Sequence, residues 1–257
     1  MLGAVLLAGA LLLTTFSAPA GAGLVDSVRA VKPAVVAVGT YQRTRSPAFQ
    51  FRGTGFVVGD GRHIVTNAHV LPEVLAGEQM ETLVVVSPGE ELSGKVRPVR
   101  RLLSEPARDL AVLTLEGGET LPALRLASVQ KTVAEGQEIA FTGFPIGTVL
   151  GITPVTHRGI ISAITPIGIP QGNARDLKPA LVRRLGNDLF RVYQLDATAY
   201  PGSSGSPVYD PNSGEVIAVI NMVLVKSTKE SVLSDPSGVT YAIPVEHLHV
   251  LLERVGK

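Results

Sequence analysis

The chain contains no cysteine. That absence excludes a disulfide framework, a thiolate metal site, a cysteine nucleophile and a lipid-bearing cysteine behind a leader. Charge of one sign is also missing, since 23 Lys and Arg stand against 22 Asp and Glu for a formal net charge of +1. Basic residues adjoin only in the pairs Arg100-Arg101 and Arg183-Arg184. That is too little for the electrostatic footprint of a nucleic-acid or anionic-lipid partner. Metal ligands are equally sparse. Of five histidines, His247 and His249 are close in sequence, but two residues apart on a helical segment they do not share a face. His63 and His157 read as residues of surface turns. No glycine-rich phosphate loop joins a strand to a helix. Neither a cofactor nor a metal is expected.

What is present is an ordinary globular composition. The 257 residues are 45% hydrophobic, with 27 Gly and 18 Pro that signal many turns rather than long helices. A chain of this length buries roughly 70 to 75% of its unfolded surface, so a sizeable core is available. Residues 2 to 13 are uninterruptedly apolar, and the small residues SAPAGAG follow before the first charge at Asp26. This pattern reads as a signal peptide over residues 1–22, cleaved after Ala20 or Ala22, and as too short for a membrane span. Nothing basic precedes the apolar run, so the true start is expected upstream. Membrane attachment would require an uncleaved leader.

From Val31 onward short Val/Ile/Leu-rich runs alternate with Gly, Pro and Asp. VVAVGTY at 35–41, GFVVGDGRHIVTNAHV at 55–70, LVVVS at 83–87 and DLAVLTL at 109–115 form a first series. Gly59-Asp60-Gly61 predicts a tight turn that makes a hairpin of FVV and HIVT. A second series holds EIAFTGF at 138–144, HRGIISAI at 157–164, RVYQLDA at 191–197, SPVYD at 206–210, GEVIAVINMVLV at 214–225 and GVTYAIP at 238–244. Strands at this spacing argue for an all-β protein built from barrels, one over about 31–122 and one over about 130–244. The polar stretch 116–130 is the link. Residues 174–188 read as a short helix or a charged surface loop. Val245, Leu248, Leu251, Leu252 and Val255 fall on one face of a C-terminal helix over about 245–255.

Three segments carry chemistry. PGSSGSP at 201–207 packs small residues around Ser204, so the chain can turn tightly and aim the Gly202 and Ser204 N–H groups at one point. His69 follows the strand-like run of IVTNAHV. Asp109 opens an apolar run that would bury its carboxylate, and such an acid needs a donor, which an imidazole Nδ1–H supplies. A serine nucleophile, an imidazole base and a carboxylate that fixes its tautomer are the parts of amide hydrolysis. Their order here, His69, Asp109, Ser204, is that of the chymotrypsin template. An α/β-hydrolase reading through Ser204, Asp235 and His247 or His249 fails. Its G-x-S-x-G elbow would need Gly at position 206, which is Ser206, and alternating strands and helices are missing.

GTGFVV at 53–58, IVTNAHV at 64–70, DLAVL at 109–113, GFPIG at 143–147, GIISAI at 159–164, DATAYPGSSGSPVYD at 196–210 and VTYAIP at 239–244 together resemble the protease domain of the HtrA/Deg family of trypsin-like serine peptidases. The resemblance covers nearly all of residues 23–257. It implies a chymotrypsin/trypsin-like double β-barrel with the active site in the cleft between barrels. It also implies His69 as general base, Asp109 as its orienter, Ser204 as nucleophile and an oxyanion hole from the Gly202 and Ser204 amides. A specificity pocket would be lined by Thr198, Ala199, Tyr200, Ile220, Asn221, Met222 and Val223. Where the family usually has Asn before the nucleophile and Gly two positions after it, this chain has Ser203 and Ser206, both small enough to keep the turn. Polypeptides are the implied substrates, and a non-catalytic binding module on the same scaffold is the alternative. Relatives often trimerise through N-terminal aromatics, for which Tyr41, Phe49 and Phe51 are available. After Val255 there is no room for the PDZ domain of many relatives, so control by a bound C-terminal peptide is not implied. Export without cysteine fits a bacterial periplasm or a secreted bacterial enzyme.

Overall fold

The computed structural model describes residues 23–75, 80–88, 94–145, 153–166, 190–221 and 239–255. The expected leader, the segment 174–188, Met222 and Val223 lie outside the described residues.

A helix, α1 (Leu24–Val31), and a 3₁₀ turn over Lys32–Ala34 lead into six strands: β1 (Val35–Tyr41), β2 (Phe49–Val58), β3 (His63–Thr66), β4 (Thr82–Ser87), β5 (Lys95–Glu105) and β6 (Leu110–Leu115). They close into an antiparallel barrel in the order β1-β2-β3-β6-β5-β4. Six more, β7 (Glu138–Gly143), β8 (Val155–Pro166), β9 (Arg191–Asp196), β10 (Pro207–Tyr209), β11 (Val216–Asn221) and β12 (Val239–Pro244), close a second barrel in the order β10-β11-β12-β9-β8-β7. The chain ends in α2 (Val245–Glu253), whose Val245, Leu248 and Leu251 are buried. The fold is thus the all-β double barrel with a C-terminal helix expected from the sequence.

Period-2 alternation explains why the first-barrel strands read as continuous apolar runs. Successive strand residues point to opposite faces. On β1, Val36 and Val38 enter the core inside the first barrel, while Val35 and Ala37 join a larger core shared with the second barrel. β6 does the same, with Ala111, Leu113 and Leu115 inward and Leu110 and Val112 toward the shared core. A strand buried on both faces has no polar side to display.

Two elements depart from the sequence reading. β5, KVRPVRRLLSE, is absent from the expected strands because only Val99 of its eleven residues is buried and its Lys and Arg side chains cover a solvated face. α1 lies ahead of the first expected strand, in a stretch for which the sequence reading assigns no element. It forms because Val31 and partly buried Leu24 dock on the shared core. The aromatics considered for an oligomer contact, Tyr41, Phe49 and Phe51, are all half-buried, and Phe49 and Phe51 pack on the shared core.

The link between the barrels is a strap. The Leu124 N–H donates to the Val57 carbonyl at 2.8 Å, and the Ala127 N–H donates to Val216 at 2.8 Å while Val216 returns a bond to Arg125 at 2.9 Å. His249 of α2 donates from Nε2 to the Ala127 carbonyl at 2.8 Å, which ties the helix to the same strap. The barrels therefore meet along a fixed seam. Leu113→Ala, inside the first barrel, should lower stability by about 2 to 5 kcal/mol in chemical denaturation. Val96→Ala, at a 41% exposed position of β5, should change it by no more than about 0.5 kcal/mol.

Candidate active site

Asp109 stands at the start of β6 with a left-handed backbone, φ 51°. Such a conformation is uncommon for a residue with a Cβ, although Asp tolerates it better than most. The surroundings hold it there. Its backbone carbonyl accepts the Ala68 N–H at 3.2 Å and the Asn67 side-chain amide at 3.0 Å. Its carboxylate is buried and accepts three further bonds. Oδ1 takes the His69 backbone N–H at 2.9 Å, and Oδ2 takes His69 Nδ1–H at 2.6 Å and the Asn221 amide at 2.8 Å.

His69 sits in a 3₁₀ turn over Ala68–Val70 that follows β3. Because its Nδ1 proton is engaged by the carboxylate, Nε2 is left with its lone pair. The side chain is 31% exposed and so reachable from the cleft.

Ser204 comes from the second barrel, on the turn that precedes β10. Tyr200, Pro201, Gly202 and Ser203 close a β-turn in which the Ser203 N–H donates to the Tyr200 carbonyl at 2.9 Å. Pro presets the second position of such a turn, and a positive φ at the third demands Gly. Gly202 has φ 100°, and a Cβ there would lie 2.4 Å from the Phe144 carbonyl and 2.8 Å from the Phe51 ring. The Gly205 N–H then donates to Ile220 at 3.0 Å and the Ser206 N–H to Ser203 at 3.0 Å. Pro201 has no N–H. Among the described residues the Gly202 and Ser204 N–H groups alone in the stretch 201–206 have no protein acceptor.

Gly53 of β2 lies between the two halves of the site. A Cβ on it would come within 2.7 Å of the Val70 side chain, beside His69, and 3.2 Å of the Ser204 carbonyl. Among the described residues no hydrogen bond joins the Ser204 hydroxyl to His69. Such bonds are commonly long before substrate binds.

Of the expected pocket residues, Ala199 and Ile220 are buried, Thr198 and Tyr200 are half-buried, and Met222 and Val223 lie outside the described residues. Asn221 is also buried, but its amide is directed at Asp109, across the seam from β11. Sequence reasoning placed it only in a pocket wall and missed this bond. The one available signal was its position at the end of an apolar strand, where a buried amide needs a partner. Ser203 and Ser206 are both fully buried, and their hydroxyls have no partner among the described residues. The Ser206 hydroxyl fills the space above Gly143, where any Cβ would collide with it. Among the described residues no group of three or more His, Asp or Glu could hold a metal ion, and no helix is long and apolar enough to cross a membrane.

These features define a class: two closed six-stranded antiparallel barrels with an acid–imidazole pair from one and a serine turn from the other, as in the trypsin-like proteins. The chain belongs to the trypsin-like peptidase family, whose domain model matches residues 53–219, more than half of the sequence. It is 27% identical over 212 residues to a Pseudomonas putida protein named "probable periplasmic serine endoprotease DegP-like", covering 80% of this chain and 36% of that protein. A Halomonas elongata protein of the same name is 28% identical over 195 residues, which is 76% of this chain and 33% of the relative. The chain therefore spans about a third of the length of these relatives.

His157, expected at a surface turn, instead lies in β8 opposite Phe141. Its ring stacks on Phe141 at 4.9 Å and faces Tyr200 at 6.1 Å, with Nε2 buried and unpaired. A run of strand residues on both sides carries it into the barrel wall. Burial holds its pKa below the ordinary 6.5. The unfolded chain then takes up the proton first as pH falls, so stability should be greatest above about 6.5 and decline below it as the folded state resists protonation. His157→Phe should keep the stack and reduce that decline, as read from denaturation midpoints between about pH 8 and pH 5.

Proposed function

We propose that the protein is a serine endopeptidase in which His69, Asp109 and Ser204 act as a triad through an acyl-enzyme. The observation that carries this reading is the pair of free N–H groups at Gly202 and Ser204, on a turn whose other amides are all bonded. Preorganised donors of this kind stabilise negative charge that develops on a carbonyl oxygen.

His69 Nε2 takes the proton of Ser204 Oγ as that oxygen attacks the scissile carbonyl carbon. The oxyanion of the tetrahedral intermediate accepts the Gly202 and Ser204 N–H bonds. Collapse breaks the C–N bond, and the imidazolium gives its proton to the departing amine. Water, deprotonated by the same nitrogen, then attacks the Ser204 ester and releases the acid and the free hydroxyl. Asp109 holds the imidazole in the required tautomer and stabilises its cationic form without accepting the proton. Asn221 and the His69 backbone N–H donate to the buried carboxylate, so its oxygens are not left without partners.

The P. putida and H. elongata relatives are named as periplasmic endoproteases. With the apolar stretch at residues 2 to 13, this supports a protein exported to a bacterial envelope and acting there on unfolded or exposed polypeptides. Neither a metal nor a cofactor has a part in the proposed steps.

Ser204→Ala or His69→Ala should lower turnover by about 10⁴ or more, and the double variant should lose little beyond either single one. Additive losses in steady-state hydrolysis would mean that the two residues do not act on the same proton. A fluorophosphonate should label the wild type at Ser204; failure to label the folded protein would favour the non-catalytic binding module.

Bond preference follows from the proposed pocket. Thr198, uncharged, would stand at its base, where an entering Lys or Arg would be desolvated without a partner, at a cost of several kcal/mol. Asp196, the nearest acid in sequence, is exposed on β9. Cleavage should fall after small or medium aliphatic residues such as Val, Ala, Ile or Leu. An apolar wall separates neighbours differing by one methylene by only about 1 to 3 kcal/mol, so the preference should be broad. Profiling of cleavage sites on a denatured proteome checks it, and a majority of Lys or Arg before the cut bond would overturn it.

A further inference from the structure

We infer that Thr54 is a positioning residue that sets the turn bearing the oxyanion donors from across the seam. The inference rests on the proposed role of that turn and adds a residue that is in neither the triad nor the pocket. Thr54 lies on β2 of the first barrel and is fully buried. Its backbone N–H donates to the Ser204 carbonyl at 2.9 Å. Its hydroxyl lies 2.7 Å from the Gly202 carbonyl and 3.0 Å from the Phe144 nitrogen. Its own carbonyl accepts the Thr66 hydroxyl at 2.7 Å, which holds β2 to the strand that leads to His69.

The direction of the hydroxyl bonds follows from the partners. The Phe144 N–H can only donate, so Thr54 Oγ1 accepts there. A hydroxyl has one proton, and it must go to the Gly202 carbonyl, which can only accept. The peptide group between Gly202 and Ser203 is thereby fixed at both ends: its C=O by Thr54, its N–H by Tyr200. The peptide group after Ser204 is fixed by the Thr54 N–H. The peptide group bearing the Ser204 N–H lies between these two held groups and the one bearing the Gly202 N–H adjoins the first, so both donors are restrained by their neighbours. The turn packs closely on β2, since a Cβ at Gly205 would sit 2.1 Å from the Thr54 carbonyl. One buried side chain of the first barrel thus orients donors that belong to the second.

A hydroxyl is required, and shape alone does not suffice. Thr54→Val keeps the shape, removes the proton and leaves two buried backbone groups unpaired. Thr54→Ser keeps the hydroxyl and loses a methyl group. The test measures peptide hydrolysis by the full chain across pH, with Ser204→Ala as reference. Thr54→Val should lower kcat by about 10² to 10³, the scale of losing one oxyanion donor, while KM changes less than about threefold. The acid limb of its pH profile should stay where it is in the wild type, because the His69–Asp109 pair is untouched. Thr54→Ser should return kcat to within about fivefold of the wild type. If Thr54→Val does not fold, Thr54→Cys, a weaker donor of similar size, decides: an intermediate kcat supports the inference and an unchanged one overturns it. A wild-type kcat in Thr54→Val, a loss confined to KM, or no recovery in Thr54→Ser would each overturn it. Undiminished hydrolysis by Ser204→Ala would instead refute the proposed function itself.

Discussion

A carboxylate placed in a protein interior must be given donors, and Asp109 is where this requirement organises the molecule. Burial of an unpaired charge costs several kcal/mol even after relaxation. The carboxylate meets that cost with three donors drawn from two places in the chain, His69 twice and Asn221 once. The first pair fixes the 3₁₀ turn on which His69 stands. The third donor comes from the end of β11, so a single anion holds a residue of each barrel. The left-handed backbone at Asp109 fits the same demand, because it presents the carboxylate to the turn while its carbonyl takes the Asn67 and Ala68 donors. Backbone strain of this kind costs of order 1 to 3 kcal/mol and persists where the surroundings over-determine it.

The barrels supply the rigidity that such placement needs. Their facing strands are buried on both sides, so the wall between the two cores is itself core, and the strap from Leu124 to Ala127 pairs with a strand of each barrel. Relative motion of the barrels would break strap and seam together. This explains how groups from β2, β6, β11 and the turn before β10 can share one site although they are distant in sequence. Interiors packed to crystal-like density transmit small displacements, and a shift at Thr54 or Gly53 would be felt at Ser204.

Much of this was legible in the residues. β1 coincides with the run VVAVGTY, and β3, β4, β6 and β7 lie within a residue or so of their apolar runs, because continuous Val, Ile and Leu between turn residues is what a doubly buried strand requires. β5 was not legible for the complementary reason. Arg100 and Arg101 are exposed next to buried Val99, and Pro98 interrupts the strand, so neither periodicity nor composition marks it. α1 is eight residues long, below the length at which helical propensity alone is informative, and its docking on the core decides its state. At the site, His69, Asp109 and Ser204 stood out by type and order. Asn221 and Thr54 did not, because an amide or hydroxyl in a strand says nothing about its partner until the strands are assembled. His157 was misplaced on a turn because a polar ring at the start of a strand looks solvated until Phe141 and Tyr200 are brought against it.

The turn around Ser204 shows where local rules yield to chemistry. Native chains bond nearly all their buried backbone donors, and this turn obeys at Ser203, Gly205 and Ser206. It departs at Gly202 and Ser204 alone. A loop selected only for stability would close those two groups as well, since a typical intramolecular hydrogen bond contributes about 0.5 to 1.5 kcal/mol. The Ser203 and Ser206 hydroxyls accept from neither donor, since both are buried, one against Gly143, and have no partner among the described residues. The departure is therefore built into the backbone and not left to side-chain choice: Pro201 and Gly202 set the turn, Thr54 bonds the Gly202 and Ser204 carbonyls, and the two N–H groups are left without a protein acceptor. Violations of local satisfaction that the surrounding structure so strictly enforces are the expected mark of a functional site.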